Sequence, residues 1–359
     1  MKNAFLKSGH IPTLISCFLY FDFSFAIWVL LGPLAVLIAA DLHLNAGQKG
    51  LMVAVPVLAG AGLRFLNGIL VGQWQPRRIG LIMQLVVIAG LLTAWLAGIH
   101  SFSQILLLGA ILGVAGASFA IALPMVSYWY PPEHQGTALG LAGAGNSGTV
   151  FASLFAPVLA VALGWQNVFG LAALPLIGVF LLFTFAAKNS PNCPPKKSMA
   201  DYARLLKQGD CWWLMFFYAV SFGGFVGLSS FLPIYFHDQY KLTPVTAGYC
   251  TAACVFAGSF ARPIGGYLAD RVGGTRTLAA VYAVVAAIIL TASQSLFPVS
   301  VAFLLFICGM AALGVGNGAV FQLVPPRFGR AVGLLTGLVG MTGGIGGFYL
   351  AASLGYAQQ

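Results

Sequence analysis

Charge is scarce in this sequence. Only 7% of its 359 residues are Asp, Glu, Lys or Arg, and the acidic ones number seven. Soluble domains carry about 25% charged residues, so a water-soluble globule is excluded. Catalytic patterns are also missing: there is no His cluster, no Ser/His/Asp set, no Walker loop and no Rossmann fingerprint. No metal, nucleotide or other cofactor is therefore expected. The six cysteines (Cys17, Cys193, Cys211, Cys250, Cys254, Cys308) form no CxxC pair. Most lie in apolar runs, so they read as small core residues rather than disulfides or metal ligands. Ten-residue segments alternating apolar and polar are absent as well, which excludes a membrane barrel.

What is present is apolar and small. Hydrophobic residues make up 60% of the chain, and Gly occurs 45 times, well above the ~7% of ordinary proteins. Such a composition suits membrane helices that pack closely through Gly and Ala. A span needs about 20 apolar residues, and eleven candidates qualify: 12–40, 48–74, 79–99, 102–129, 136–163, 166–187, 211–237, 244–270, 276–296, 298–324 and 330–356. The first continues past residue 30, too long for a cleavable leader. The longest polar stretch, Lys188 to Asp210, divides the chain. Three units are expected: a six-helix bundle at 1–187, a cytoplasmic linker with a short surface helix at 188–210, and a five-helix bundle at 211–359.

The net charge of +10 does not point to nucleic acid, because the basic residues sit in short loops, where they set orientation. With the N-terminus in the cytoplasm, thirteen Lys and Arg fall inside and two, Lys49 and Lys241, outside. The expected location is the cytoplasmic (inner) membrane, crossed many times, with the lipid bilayer as surroundings and a monomer as the working unit.

Arg64 and Arg262 belong to neither side. They stand in a repeat: VLAGAGLRFLNG (Val57–Gly68) matches VFAGSFARPIGG (Val255–Gly266) without a gap at an offset of 198. The same offset aligns GILVGQWQPRR (Gly68–Arg78) with GYLADRVGGTR (Gly266–Arg276). Two Gly-rich segments, GLAGAGNSG (Gly140–Gly148) and GLVGMTGGIGG (Gly337–Gly347), correspond at an offset of 197. Parallel halves of this kind are transporter architecture. A central Arg costs about 2.5–3.5 kcal/mol on insertion scales. Two of them at matching positions would face each other across the pseudo-two-fold axis, and a planar guanidinium fork suits a planar oxyanion. The residues alone specify a small monovalent anion. A passive anion channel would use basic residues too, and remains the alternative class.

GYLADRVGGTR resembles the loop motif of the major facilitator superfamily, and the two Gly-rich segments resemble the signatures of its nitrate/nitrite porter family (the NarK/NasA type). GASFAIALPMVSYWYPPEHQG (Gly116–Gly136) adds to the likeness, which runs from about Phe21 to the C-terminus. The resemblance implies an all-α fold of two six-helix pseudo-repeats and a secondary transporter of nitrate and/or nitrite, working by exchange or with protons as a second partner. It implies that Asn146, Tyr218, Phe222 and Phe119 join Arg64 and Arg262 around the anion. In this chain Gly72 and Gln75 stand where the first-half motif has Asp and Gly. The superfamily has twelve helices and eleven spans are counted here, so a truncated gene is the expected reading.

Other residues carry expectations of their own. Gly143, Gly145, Gly148, Gly340, Gly343 and Gly344 would let helices pack and slide. Asp270, Arg271 and Arg276 would gate the cytoplasmic face, Asp270 by accepting from a neighbouring helix N-terminus. Asp22, deep in the first span, is the candidate coupling residue, or else a polar contact to Ser24 or a neighbouring helix. Asn317 is a further buried amide.

Overall fold

The computed structural model of the chain describes residues 5, 8–191, 199–294, 297–323 and 332–357. Among these residues all regular structure is helical, and eleven stretches are long and apolar enough to cross a membrane. α1 (Ile11–Trp28) and α2 (Leu31–Asp41) make the first span, α3 (Ala46–Gln73) the second and α4 (Pro76–Ala97) the third. The fourth is α5 (Phe102–Gly116) with α6 (Phe119–Ser127). In the fifth, α7 (Pro132–Gly143) joins α8 (Gly148–Leu163) through a 3-10 turn at Ala144–Ser147, and α9 (Trp165–Ala186) is the sixth. After the short α10 (Met199–Leu206) come α11 (Gly209–Tyr240), α12 (Pro244–Val272), α13 (Gly274–Ala292), α14 (Val299–Gln322) and α15 (Val332–Ala357).

The two halves differ in one respect. Three spans of the first half are interrupted, whereas α11 to α15 each run unbroken. Pro33 has no N–H to give the Val29 carbonyl, which accepts from Gly32 at 3.0 Å instead, and the first span breaks there. At Ala117 and Ser118 the backbone tightens to three-residue bonds, to Val114 and Ala115. That turn frees the Gly116 carbonyl for a side chain.

Helix ends are fixed by local chemistry. Asn45 and Gln48 form a reciprocal capping box at the start of α3, with bonds of 2.8 and 3.0 Å. Ser101 and Thr243 cap α5 and α12. At the linker end the chain after α9 is stitched to the first half. The Lys188 amide donates to Thr13 Oγ1 at 3.0 Å, Ser190 Oγ donates to the Tyr128 carbonyl at 2.6 Å, and Asn189 bonds Gln75 and Arg77.

The halves meet through α3 on α15, α8 on α12, and α2 on α11. They approach closely from mid-span, at Gly344 against Ala61, to the end away from the linker. A Cβ on Gly50 would stand 2.6 Å from the Gly355 Cα, one on Gly32 would stand 2.8 Å from the Ser230 carbonyl, and one on Gly248 would stand 2.6 Å from the Ser153 carbonyl. A Lys49–Asp238 salt bridge joins the halves at the same end. The bundle's outer surface is apolar, with Phe185, Leu96 and Tyr349 among its most exposed side chains, as a lipid-facing wall requires. Cys308 belongs to that wall: it is exposed rather than a core residue, because its side of α14 faces outward.

Candidate functional site

The site is built around Arg64, which α3 carries into the centre of the bundle at 1% exposure. Its fork is occupied on two edges. Nε donates to the Gly116 carbonyl at 2.9 Å, the group released by the turn between α5 and α6. Nη1 donates to the Gly340 carbonyl of α15, in the other half, at 3.0 Å. Three aromatic rings stand around the guanidinium: Trp28 at 4.6 Å, Phe222 at 5.0 Å and Phe119 at 5.9 Å from Cζ to centroid. Nη2 is buried and has no hydrogen-bond partner. A buried donor without an acceptor is costly, so this edge is the part of the fork left open to an acceptor.

Arg262 is half-buried on α12 and within electrostatic range of Arg64. It also makes a hydrogen bond with the Tyr218 side chain. Tyr218 and Phe222 stack in parallel, with centroids 4.8 Å apart and an interplanar angle of 6°. Both arginines and the three predicted aromatics are thus brought together. Asn146 stands on the 3-10 turn, its amide donating to Ser259 Oγ on α12 at 3.4 Å. Asn317 is buried on α14, and its Oδ1 has no partner.

The glycines divide into groups. Gly145 and Gly148 face α1: a Cβ on Gly145 would stand 2.6 Å from the Phe21 ring, and one on Gly148 would run into the Asp22 carbonyl. Gly343 presses on the Tyr218 and Phe222 rings, and Gly344 on Ala61. Gly340 serves Arg64 through its carbonyl. The packing role expected of Gly143 is not observed: its missing Cβ points into open space, because α7 there stands clear of its neighbours.

Asp22 does not reach the arginines. Its carboxylate accepts from Ser147 Oγ at 2.7 Å, so it serves a neighbouring helix. Asp270, Arg271 and Arg276 are exposed at the linker end. Arg271 lies over the Tyr267 ring at 4.5 Å. Among the described residues no hydrogen bond or ion pair is formed by Asp270, so the expected bond to a neighbouring helix N-terminus is not found among them.

Trp28 is the site residue that sequence reasoning missed. Its indole donates to the Pro56 carbonyl at 2.7 Å and covers one face of Arg64. The signal was the Gly32-Pro33 break just after it, which marks the depth at which the first span bends.

Residues 15–351 match the model of the Major Facilitator Superfamily. The chain belongs to that superfamily. It is therefore a membrane transporter and not an enzyme, and it shares its fold with solved members. A crystal structure of a bacterial homologue of the human lysosomal transporter Spinster, inward-facing and unoccupied, superposes with a TM-score of 0.71 at 20% identity, over 96% of this chain and 82% of that one. The transporter is 32% identical over 330 residues to the nitrite extrusion protein of Bacillus subtilis, covering 90% of this chain and 82% of that protein. It is likewise 32% identical over 332 residues to a probable nitrate/nitrite transporter, NarK2, of Mycobacterium tuberculosis, covering 91% and 84%. A probable nitrate/nitrite antiporter, NarK1, of Thermus thermophilus is 30% identical over 373 residues, covering 95% and 83%.

Proposed function

We propose that this transporter moves nitrate and nitrite across the cytoplasmic membrane by alternating access, holding the anion between Arg64 and Arg262. One observation carries the reading. Arg64 is buried with its Nη2 edge unsatisfied, and its nearest partners are carbonyls and rings rather than a carboxylate. A planar monovalent oxyanion completes such a fork with paired N–H donors and charge together, and the aromatic walls strengthen the contact by lowering the local dielectric. The names of the relatives supply the anion's identity.

Exchange of one anion for another is the basic activity. An empty site that closes must bury an unpaired guanidinium edge, whereas a bound anion on the return step removes that cost. Asp22, the deep carboxylate, bonds Ser147 instead of the arginines, which favours exchange over coupling to protons. The two bundles at 1–187 and 211–359 move about the site, with the N-terminus and the 188–210 linker in the cytoplasm. Contact between the halves at the end away from the linker then closes the site on that side.

Counterflow into liposomes tests this. Vesicles loaded with nitrite should accumulate external nitrate with saturation, and empty vesicles should take up far less. Equal, non-saturating flux in both would identify a passive anion channel.

A further inference from the structure

We propose that Asp22 and Ser147 form the clasp of a hinge in the fifth span, one that sets the angle between its two rods and so positions Asn146 against the opposite half. The inference rests on the transport reading for its purpose, though not for its geometry. The span is not one helix. α7 and α8 are separate rods joined by the four-residue 3-10 turn Ala144–Ser147. They also have different company. α7 packs on α1 and α6 of its own half, whereas α8 packs on α12 of the other half as well as on α1, α2 and α9. Any motion that parts the halves at α8 while α7 stays with its neighbours must be absorbed in the turn between them.

That turn is held from both sides. Ser147 Oγ donates to Asp22 Oδ1 at 2.7 Å, and it also lies 2.8 Å from the Ala144 carbonyl, across the turn itself. The Gly148 N–H, the first of α8, closes back onto the Gly145 and Asn146 carbonyls of the turn. A hydroxyl donating to a carboxylate is a charge-assisted bond, about twice as strong as a neutral one. Gly145 and Gly148 have no side chain because α1 lies directly against them at Phe21 and Asp22. Between these two anchors stands Asn146, whose amide points the other way, to Ser259 on α12. Residues 145, 147 and 148 are therefore fastened to the first half and residue 146 to the second. Removing the clasp frees the angle between the rods without touching an arginine. Ser147 and Asp22 are positioning residues: they act on the exchange step through the angle between the two rods.

The experiment uses the full chain in lipid, comparing Ser147→Ala, Ser147→Thr and Asp22→Asn with the unmodified sequence. Nitrate affinity and nitrate/nitrite exchange rate are measured alongside spin-label distances between His134→Cys on α7 and Tyr267→Cys on α12. Ser147→Ala should broaden the distance distribution and slow exchange by about tenfold, the scale of one charge-assisted hydrogen bond, with nitrate affinity changed by less than about twofold. Ser147→Thr, which keeps the hydroxyl, should restore both. Should Ser147→Ala fail to fold, Asp22→Asn carries the same expectation in weaker form. An unchanged distance distribution overturns the hinge, and a loss of affinity equal to the loss of rate overturns it in favour of direct binding. If the unmodified protein exchanges neither nitrate nor nitrite, the transport reading fails on its own while the distances still decide the clasp.

Discussion

At the scale of single residues, Arg64 shows why charge type matters more than charge. Its guanidinium spends Nε and Nη1 on two carbonyls from different halves and keeps Nη2 free. Lysine offers one point charge that cannot reach both carbonyls and an anion. Arg64→Lys or Arg262→Lys should lower nitrate affinity by about tenfold or more while leaving expression and detergent stability largely intact, read by calorimetric titration of the purified protein. Near-normal affinity in either variant would mean the fork is not the anion's seat. The glycines give a second residue-scale test. Gly148→Ala meets the Asp22 carbonyl and should cost about 1–3 kcal/mol of stability. Gly143→Ala meets nothing within 4 Å and should be neutral, or slightly stabilising through helix propensity. Thermal unfolding in detergent separates the two.

At the scale of elements, the first span begins on an unusual cap. His10 accepts from the Thr13 amide at 3.2 Å through Nδ1, which requires that nitrogen to be unprotonated, and its ring stacks on Trp129 at 4.9 Å. Partial burial, and then the charge of Lys188, holds its pKa below the ordinary 6.5. A histidine depressed in the folded state contributes stability that is present above 6.5 and is lost as pH falls through the lower folded value. Melting temperature should therefore decline on acidification below about pH 6.5. His10→Asn, which caps without titrating, should flatten that part of the profile. A slope unchanged in His10→Asn would assign it to another group.

At the scale of the whole molecule, the two halves are latched at one end. Lys49 and Asp238 pair across them beside the Gly50–Gly355 approach, and both are partly exposed. Such pairs contribute about 0–1 kcal/mol, enough to bias a balanced equilibrium a few-fold without deciding the fold. Asp238→Asn should raise the reactivity of a Ser153→Cys reporter, buried beneath α8 and α12, by about two- to fivefold toward an external thiol reagent. Exchanging the two residues, Lys49→Asp with Asp238→Lys, should return it. Equal labelling in all three proteins would show that the latch does not govern opening.

Much of this was legible in the sequence, for a physical reason. In a bilayer, length, hydropathy and charge are constraints read locally, so eleven spans, two halves and two misplaced arginines can be counted without coordinates. The match of Arg64 to Arg262 needs only the repeat. Other facts depend on how each helix is rotated about its axis and on which distant helix it meets, and periodicity is silent on this when a helix is apolar all round. Tertiary structure alone put Trp28 on the face of Arg64, gave Arg64 the Gly340 carbonyl, turned Asp22 from the arginines to Ser147, and left Gly143 beside empty space. Composition and spacing determined that two arginines stand deep in matching spans of a repeat; packing decided what surrounds them and where the chain bends.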